Sequence, residues 1–270
     1  MKITDPDYIL PEILALGHLS ALPGGTTLPM VIRGICKANN NKGDYVIKYI
    51  SAPRMNCNAC CRELVASFIA QEMGLVTPNP VIIDVTQDYI ETLRGDDSFK
   101  LVSDSKGQNF GAEFLQGLIP FINGQNITDV QFQSATDIFA FDILTLNTDR
   151  RTDKHNLATD GKENMIIYDH ELSFGFVHEI FTNPTPWLIK ESEMTWITNH
   201  VFYNYLKDKK PDFGTFIDKL DRIDDTFWGK ALSMIPTHWQ NDQLDKIKHH
   251  FDSLSNNKDV FLQQLNKLVS

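Results

Sequence analysis

Asp149, Asn156 and Asp169 carry the side-chain types that phosphoryl transfer needs, in an order that fits it. Asp149 and Asn156 sit in the polar segment NTDRRTDKHN, residues 147–156, and Asp169 follows the apolar run MIIY. A carboxylate that accepts or orients an acceptor hydroxyl, two oxygen ligands for Mg²⁺ and a lysine on the nucleotide phosphates make a working set. Lys48, in YVIKYI, is the upstream lysine. Strand alternation puts it with Val46 on one face and Ile47 with Tyr49 on the other. A lysine on an apolar face is either an edge residue snorkelling to water or a buried cation with a task. Glu63, at the start of the next helical segment, is the carboxylate available to fix it; a first-turn acid favoured by the helix dipole is the plainer account of Glu63 alone. Gly24 and Gly25, with Thr26 and Thr27, form a turn in which backbone N–H groups can approach an anion closely. Alone, such a turn is ordinarily just a hairpin connection.

The elements that must position these residues can be read from apolar spacing. DIFAFDILTL before Asp149 has the pattern of a buried helix, and MIIY that of a buried strand, so the polar segment is pinned between core elements. Towards the N-terminus, LPGGTTLP, MVIRGICKA, the polar NNNKGD and YVIKYIS predict a glycine turn followed by a hairpin. NACCRELVASFIAQEMG predicts a helix with one apolar side, stopped at Gly74. VTPNPVIIDV predicts a strand, and FGAEFLQGLIPF a further short extended segment. Beyond residue 130 the pattern is helical, through EMTWITNHVFYNYL, FGTFIDKLDRI, NDQLDKIKHHFDSL and DVFLQQLNKLV. Strands first and helices later predict an α+β chain of two lobes joined near residues 113–120.

Composition narrows the function classes. At 270 residues and 42% hydrophobic content the chain can bury a large core. Its formal net charge of -10 argues against nucleic acid or a membrane surface as a direct partner, so an anionic ligand needs a local basic cluster. The N-terminal stretch is broken by Asp5, Asp7, Pro11 and Glu12 and does not read as a signal peptide, which makes the cytoplasm the expected location. Cys36, Cys57, Cys60 and Cys61 lack the second closely spaced ligand pair of a zinc site and read as reduced thiols around a helix start. The four tryptophans, Trp187, Trp196, Trp228 and Trp239, read as core or groove packing.

Taken in order, these pieces resemble the HipA-like kinases, bacterial protein kinases with a remote likeness to phosphatidylinositol kinases. LPGGTTLPMVI resembles the family's glycine loop, YVIKY its nucleotide-lysine strand, CRELVASFIAQEMGLVTPNPVII its helix and following turn, and FGAEFLQG its hinge. NTDRRTDKHNL resembles the catalytic loop, IIYDHELSF the metal strand and IPTHWQ a late proline-tryptophan turn. The resemblance implies a bilobal protein-kinase-like fold, with a β-rich N-lobe over residues 1–115 and a mainly helical C-lobe over residues 116–270. It implies ATP and Mg²⁺ as cofactors, with Gly24, Gly25, Thr26, Thr27 and Lys48 at the phosphates and Glu63 orienting Lys48. Adenine would be held through the backbone of Glu113, Phe114 and Leu115; Asp149 would be catalytic, and Asn156 and Asp169 would bind metal. Asp149 and Asn156 are seven positions apart, against five in better-known kinase loops, which leaves Asp153 as a rival for either role.

The leading expectation is therefore a serine/threonine protein kinase, for which the resemblance implies a toxin-like role with a cognate antitoxin. Against it stand a small-molecule or lipid kinase of related fold and a pseudokinase that binds partners without turnover. His155 and His170 are expected to make supporting hydrogen bonds, and one of Arg150 and Arg151 to pair with Asp142.

Overall fold

The computed structural model describes residues 1–22 and 26–270. Its N-terminal part is a closed barrel in the order β1 (Glu12–Ala21), β2 (Met30–Cys36), β3 (Lys42–Lys48), β5 and β4. Helix α1 (Cys57–Glu72) follows β3, then β4 (Pro80–Val85), α2 (Gln87–Thr92), α3 (Phe99–Ser103) and β5 (Gly107–Glu113). Neighbouring strands are antiparallel except β1 and β4, which pair in parallel and close the barrel. β1 escaped the sequence reading because EILALGHLSA has no clean alternation; register shifts at Ala15/Gly17 and His18/Ser20 interrupt its pairing with β2.

Lys48 ends β3, which lies between β2 and β5, so the snorkelling-edge account fails. Helix α1 begins one residue before the expected stretch because the Asn56 side chain accepts from the Ala59 N–H at 2.9 Å. It ends as expected at Gly74, whose φ of +78° suits a residue without Cβ. The expectation of one apolar side is corrected: Ala59 through Glu72 are buried apart from Arg62, because the helix has the barrel on one side and the C-terminal region on the other. Arg62 reaches Gln243 at 2.9 Å and Asn241 reaches Asn58 at 2.9 Å across that second contact. Cys60 and Cys61 lie in this interior, where burial pushes both thiols up to about 12 and keeps them protonated.

A short β6 (Ile119–Pro120) leads to α4 (Asp129–Thr145), which starts at a Thr128/Gln131 capping box. The hairpin of β7 (Leu157–Thr159) and β8 (Met165–Ile167) follows, with β6 as its third strand. β8 stops at Ile167, one residue short of the expected run. It is tied to the segment after α1 by the Ile167 N–H donating to the Val76 carbonyl at 3.0 Å. The remainder is α5 (Met194–Thr198), α6 (Tyr203–Leu206), α7 (Gly214–Ile217), α8 (Asp225–Met234), α9 (Asp242–Ser255) and α10 (Lys258–Leu268). EMTWITNHVFYNYL, expected as one helix, breaks between α5 and α6. Residues 199–201 leave helical geometry to dock on the polar segment, with Thr152 N–H donating to Asn199 and Val201 N–H to Arg150, both at 3.0 Å. Trp228 and Trp239 are in the core, and Trp187 and Trp196 pack against it. No helix among the described residues is long and apolar enough to cross a membrane.

His250 on α9 stacks on Phe176 at 4.2 Å and hydrogen-bonds the Leu144 carbonyl at 2.9 Å. Burial lowers its pKa from 6.5 to about 4. The unfolded chain therefore takes up a proton near pH 6.5 that the folded chain refuses until about pH 4. Stability is full above that window and falls through it as pH drops, by about 1.4 kcal/mol per pH unit. Urea unfolding of wild type and His250→Gln between pH 7 and 5 checks this: the wild type should show the steeper loss.

Candidate active site

The site is assembled from three places. Lys48 comes from the end of β3, Glu63 from the second turn of α1, and Asp169 from just beyond β8. The Lys48 ammonium is buried, ion-paired to Glu63 Oε1 and 2.6 Å from Asp169 Oδ1. Burial alone would lower its pKa, but the carboxylates of Glu63 and Asp169 more than reverse this and hold it above the ordinary lysine value. Burial would likewise raise Asp169; Lys48 and then Lys154 bring it below the usual carboxylate range. Glu63 Oε2 accepts the His170 N–H at 3.0 Å, so both of its oxygens are engaged and its orientation is fixed.

Asp149 and Asn156 stand at the foot of the β7–β8 hairpin. Leu157 pairs with Ile167 in antiparallel register, which brings the residues just outside the pair, Asn156 and Tyr168, together and Asp169 close by. Asn156 (φ +45°) and Asp169 (φ +62°) are both left-handed, a conformation that short polar side chains tolerate best. Asn156 Nδ2 donates to Asp149 Oδ2 at 3.0 Å, leaving the amide oxygen for another partner. Lys154 Nζ pairs with the same Asp149 oxygen and lies 3.9 Å from Asp169 Oδ2, so it spans the two aspartates. Among the described residues, the carboxylates of Glu63, Asp169 and Glu171 cluster without thiol or imidazole, and oxygen donors of this kind suit a hard divalent cation.

Beneath the polar segment is a buried network. Arg150 Nε donates to Asp142 Oδ2 at 2.6 Å, and Arg150 Nη1 holds the carbonyl oxygens of Asn156 and, at 3.4 Å, His155. Asp142 also receives Asn147 Nδ2 at 2.8 Å and His200 Nε2 at 2.9 Å. Burial pushes Asp142 up, but Arg150 and then His200 hold it below the usual range. Arg150 is thus the structural partner of Asp142, while Arg151 lies near the surface, 3.2 Å from Asp153.

The structure brings Lys48, Glu63, Asp149, Asn156 and Asp169 into one neighbourhood and leaves Asp153 out of it, with a side chain 69% exposed. Gly24 and Gly25 lie outside the described residues. Thr27 is buried, and exposed Thr26 accepts from Arg54 Nη1 at 3.4 Å. In the segment expected as the hinge, Glu113 N–H donates to the Asn79 carbonyl and Phe114 N–H to the Asp44 carbonyl, both at 2.9 Å; among the described residues the Leu115 N–H has no such partner. His155 makes its expected hydrogen bond, to the Thr152 carbonyl at 2.9 Å. The His170 ring does not: it packs edge-on to Phe141 at 5.8 Å, neither nitrogen has a partner among the described residues, and burial lowers it to about 3. His170 serves instead through its backbone N–H.

Sequence reasoning missed Glu171 and Arg54. Glu171 is buried beside Asp169 and accepts from Arg54 Nη1 at 3.1 Å, which links the Asp169 loop to the loop before α1. An acid two residues after Asp169 in YDHE was the only signal for it. His200 was also missed, since nothing local distinguishes it.

No curated protein matches the sequence. Among solved structures, the Helicobacter pylori proinflammatory kinase CtkA aligns over 95% of this chain and 97% of its own, at 15% identity and a TM-score of 0.50. The MAP kinase LmaMPK10 from Leishmania major aligns over 92% of this chain and 81% of its own, at 12% identity and a TM-score of 0.30. CtkA thus supports the kinase fold, an α+β architecture with N-terminal strands and a helical C-terminal region. The family model for HipA-like kinases matches residues 24–267. The chain belongs to the HipA-like kinase family.

Proposed function

We propose that this kinase transfers phosphate from ATP, with Mg²⁺, to serine or threonine hydroxyls of a protein. The observation that carries the reading is the Lys48 ammonium held between Glu63 and Asp169, with Asp149 and Asn156 joined at the foot of the adjoining hairpin. Lys48 holds the nucleotide phosphates and Glu63 fixes its position. Adenine sits against the backbone of Glu113, Phe114 and Leu115, with the Leu115 N–H as its donor. Asn156 and Asp169 hold Mg²⁺, which when bound neutralises charge on the phosphate being transferred. Asp149 orients the acceptor hydroxyl through the carboxylate oxygen that Lys154 and Asn156 leave open.

A protein acceptor is favoured by Ile180 and Phe181, adjacent apolar side chains 91% and 84% exposed on the segment beyond the Asp169 loop. The serine/threonine assignment follows the family resemblance. Phosphoproteomics of cells expressing wild type or Asp149→Ala tests both. Phosphoserine or phosphothreonine sites that appear only with the wild type are expected. In vitro turnover on a small alcohol, with no protein site in cells, would overturn the protein acceptor.

A further inference from the structure

We propose that Glu171 is a ligand for a second divalent cation, which it shares with Asp169, beside the one held by Asn156 and Asp169. The inference rests on the reading of this site as a phosphate-transfer centre and adds a residue and a cation to it.

Carboxylate oxygens of Glu63, Asp169 and Glu171 lie within 4.8 Å of one another. Each oxygen of Glu63 already has a partner, the Lys48 ammonium on one and the His170 N–H on the other, whereas Asp169 Oδ2 lies 3.9 Å from the Lys154 ammonium, beyond hydrogen-bond distance. A cation entering this cluster therefore takes its protein oxygens from Asp169 and Glu171. The Glu171 side chain is only 7% exposed. Arg54 fixes the carboxylate through Oε1 at 3.1 Å, while Oε2 is buried and has no hydrogen-bond partner among the described residues. A buried carboxylate oxygen left without a partner is costly, because it has given up water and gained nothing in exchange. In a folded protein such an atom calls for a ligand to occupy it.

Charge points the same way. Four carboxylates, Glu63, Asp149, Asp169 and Glu171, face three cations, Lys48, Lys154 and Arg54. A nucleotide triphosphate adds further negative charge, and one divalent ion leaves a large excess. Mg²⁺ bound by one or two carboxylates, with phosphate oxygens and water completing its shell, needs no more protein ligands than Asp169 and Glu171 supply. Paired divalent ions that share a carboxylate clamp a transferring phosphate from two sides.

Manganese titration of the full chain, followed by electron paramagnetic resonance with equimolar AMP-PNP, tests the inference. The wild type should take up two Mn²⁺ per complex and show a spin-coupled signal from the pair. Glu171→Gln keeps the side-chain shape and should bind one Mn²⁺, with affinity for the second lowered about tenfold or more and the coupled signal lost. Glu171→Asp keeps the charge and should retain both ions, the second more weakly. Two Mn²⁺ bound with wild-type affinity by Glu171→Gln, or a wild type that binds one, would overturn the role of Glu171 while leaving the wider reading intact. A wild type that takes up no more Mn²⁺ than AMP-PNP alone would instead overturn the reading of the site itself.

Discussion

Asp169→Asn lowers kcat/KM for phosphate transfer by about 10³-fold or more, with the fold retained. The amide preserves side-chain shape but removes the charge that faces both Lys48 and Lys154. Lys48 keeps Glu63 as a counter-ion, so the buried ammonium is not stranded and the structural penalty stays small. The loss therefore falls on chemistry, because the proposed function gives Asp169 both cation binding and phosphate positioning. Asp153→Asn makes the contrast: its carboxylate is 69% exposed and, among the described residues, paired only with Arg151, so activity should stay within about twofold of wild type. Steady-state kinetics of the two variants, with thermal unfolding as a check on folding, separates the aspartate at the site from its neighbour in sequence.

Arg150→Met is expected to be the most destabilising single change in the polar segment. The Arg150 and Asp142 side chains are 0% exposed, so removing the guanidinium leaves a carboxylate buried without its main counter-charge. Breaking such a pair costs about 3–5 kcal/mol, enough to lower the unfolding temperature by about 10 °C in a chain of this size. His200 and Asn147 still bond Asp142 and keep the loss towards the lower end of that range. Arg150 Nη1 also holds the Asn156 and His155 carbonyls, so the Asn156 end of the segment loosens as well. Displacement of a positioning group by about an ångström costs roughly 10²-fold in rate, and activity should fall alongside stability. Calorimetry and activity measured on one preparation test both effects.

What sequence reading could and could not reach follows from the distance over which each feature is decided. The order Lys48, Glu63, Asp149, Asn156, Asp169 was legible because each residue borders a run with a clear apolar period. The boundaries of α1 follow from local signals, the Asn56 cap and Gly74, and were nearly right. The burial of α1 on all sides was not legible: the helix lies between the barrel and the C-terminal region, and its 16 residues contain nothing that says so. The break between α5 and α6 is equally non-local, since residues 199–201 exchange helical hydrogen bonds for bonds to Arg150 and Thr152. The choice between Arg150 and Arg151 depends on which one turns back towards Asp142, eight residues upstream near the end of α4. Glu171 and Arg54 meet across 117 residues of chain, and pairing at that range leaves no periodic trace.

The most direct test of the central claim is transfer of label from the γ-phosphate of ATP, in the presence of Mg²⁺, by the purified full chain. Wild type should become labelled or label an added acceptor protein, and Asp149→Ala and Asp169→Ala should each abolish the signal while unfolding cooperatively near the wild-type temperature. Undiminished labelling by both variants would contradict the assignment of these two aspartates to phosphate transfer.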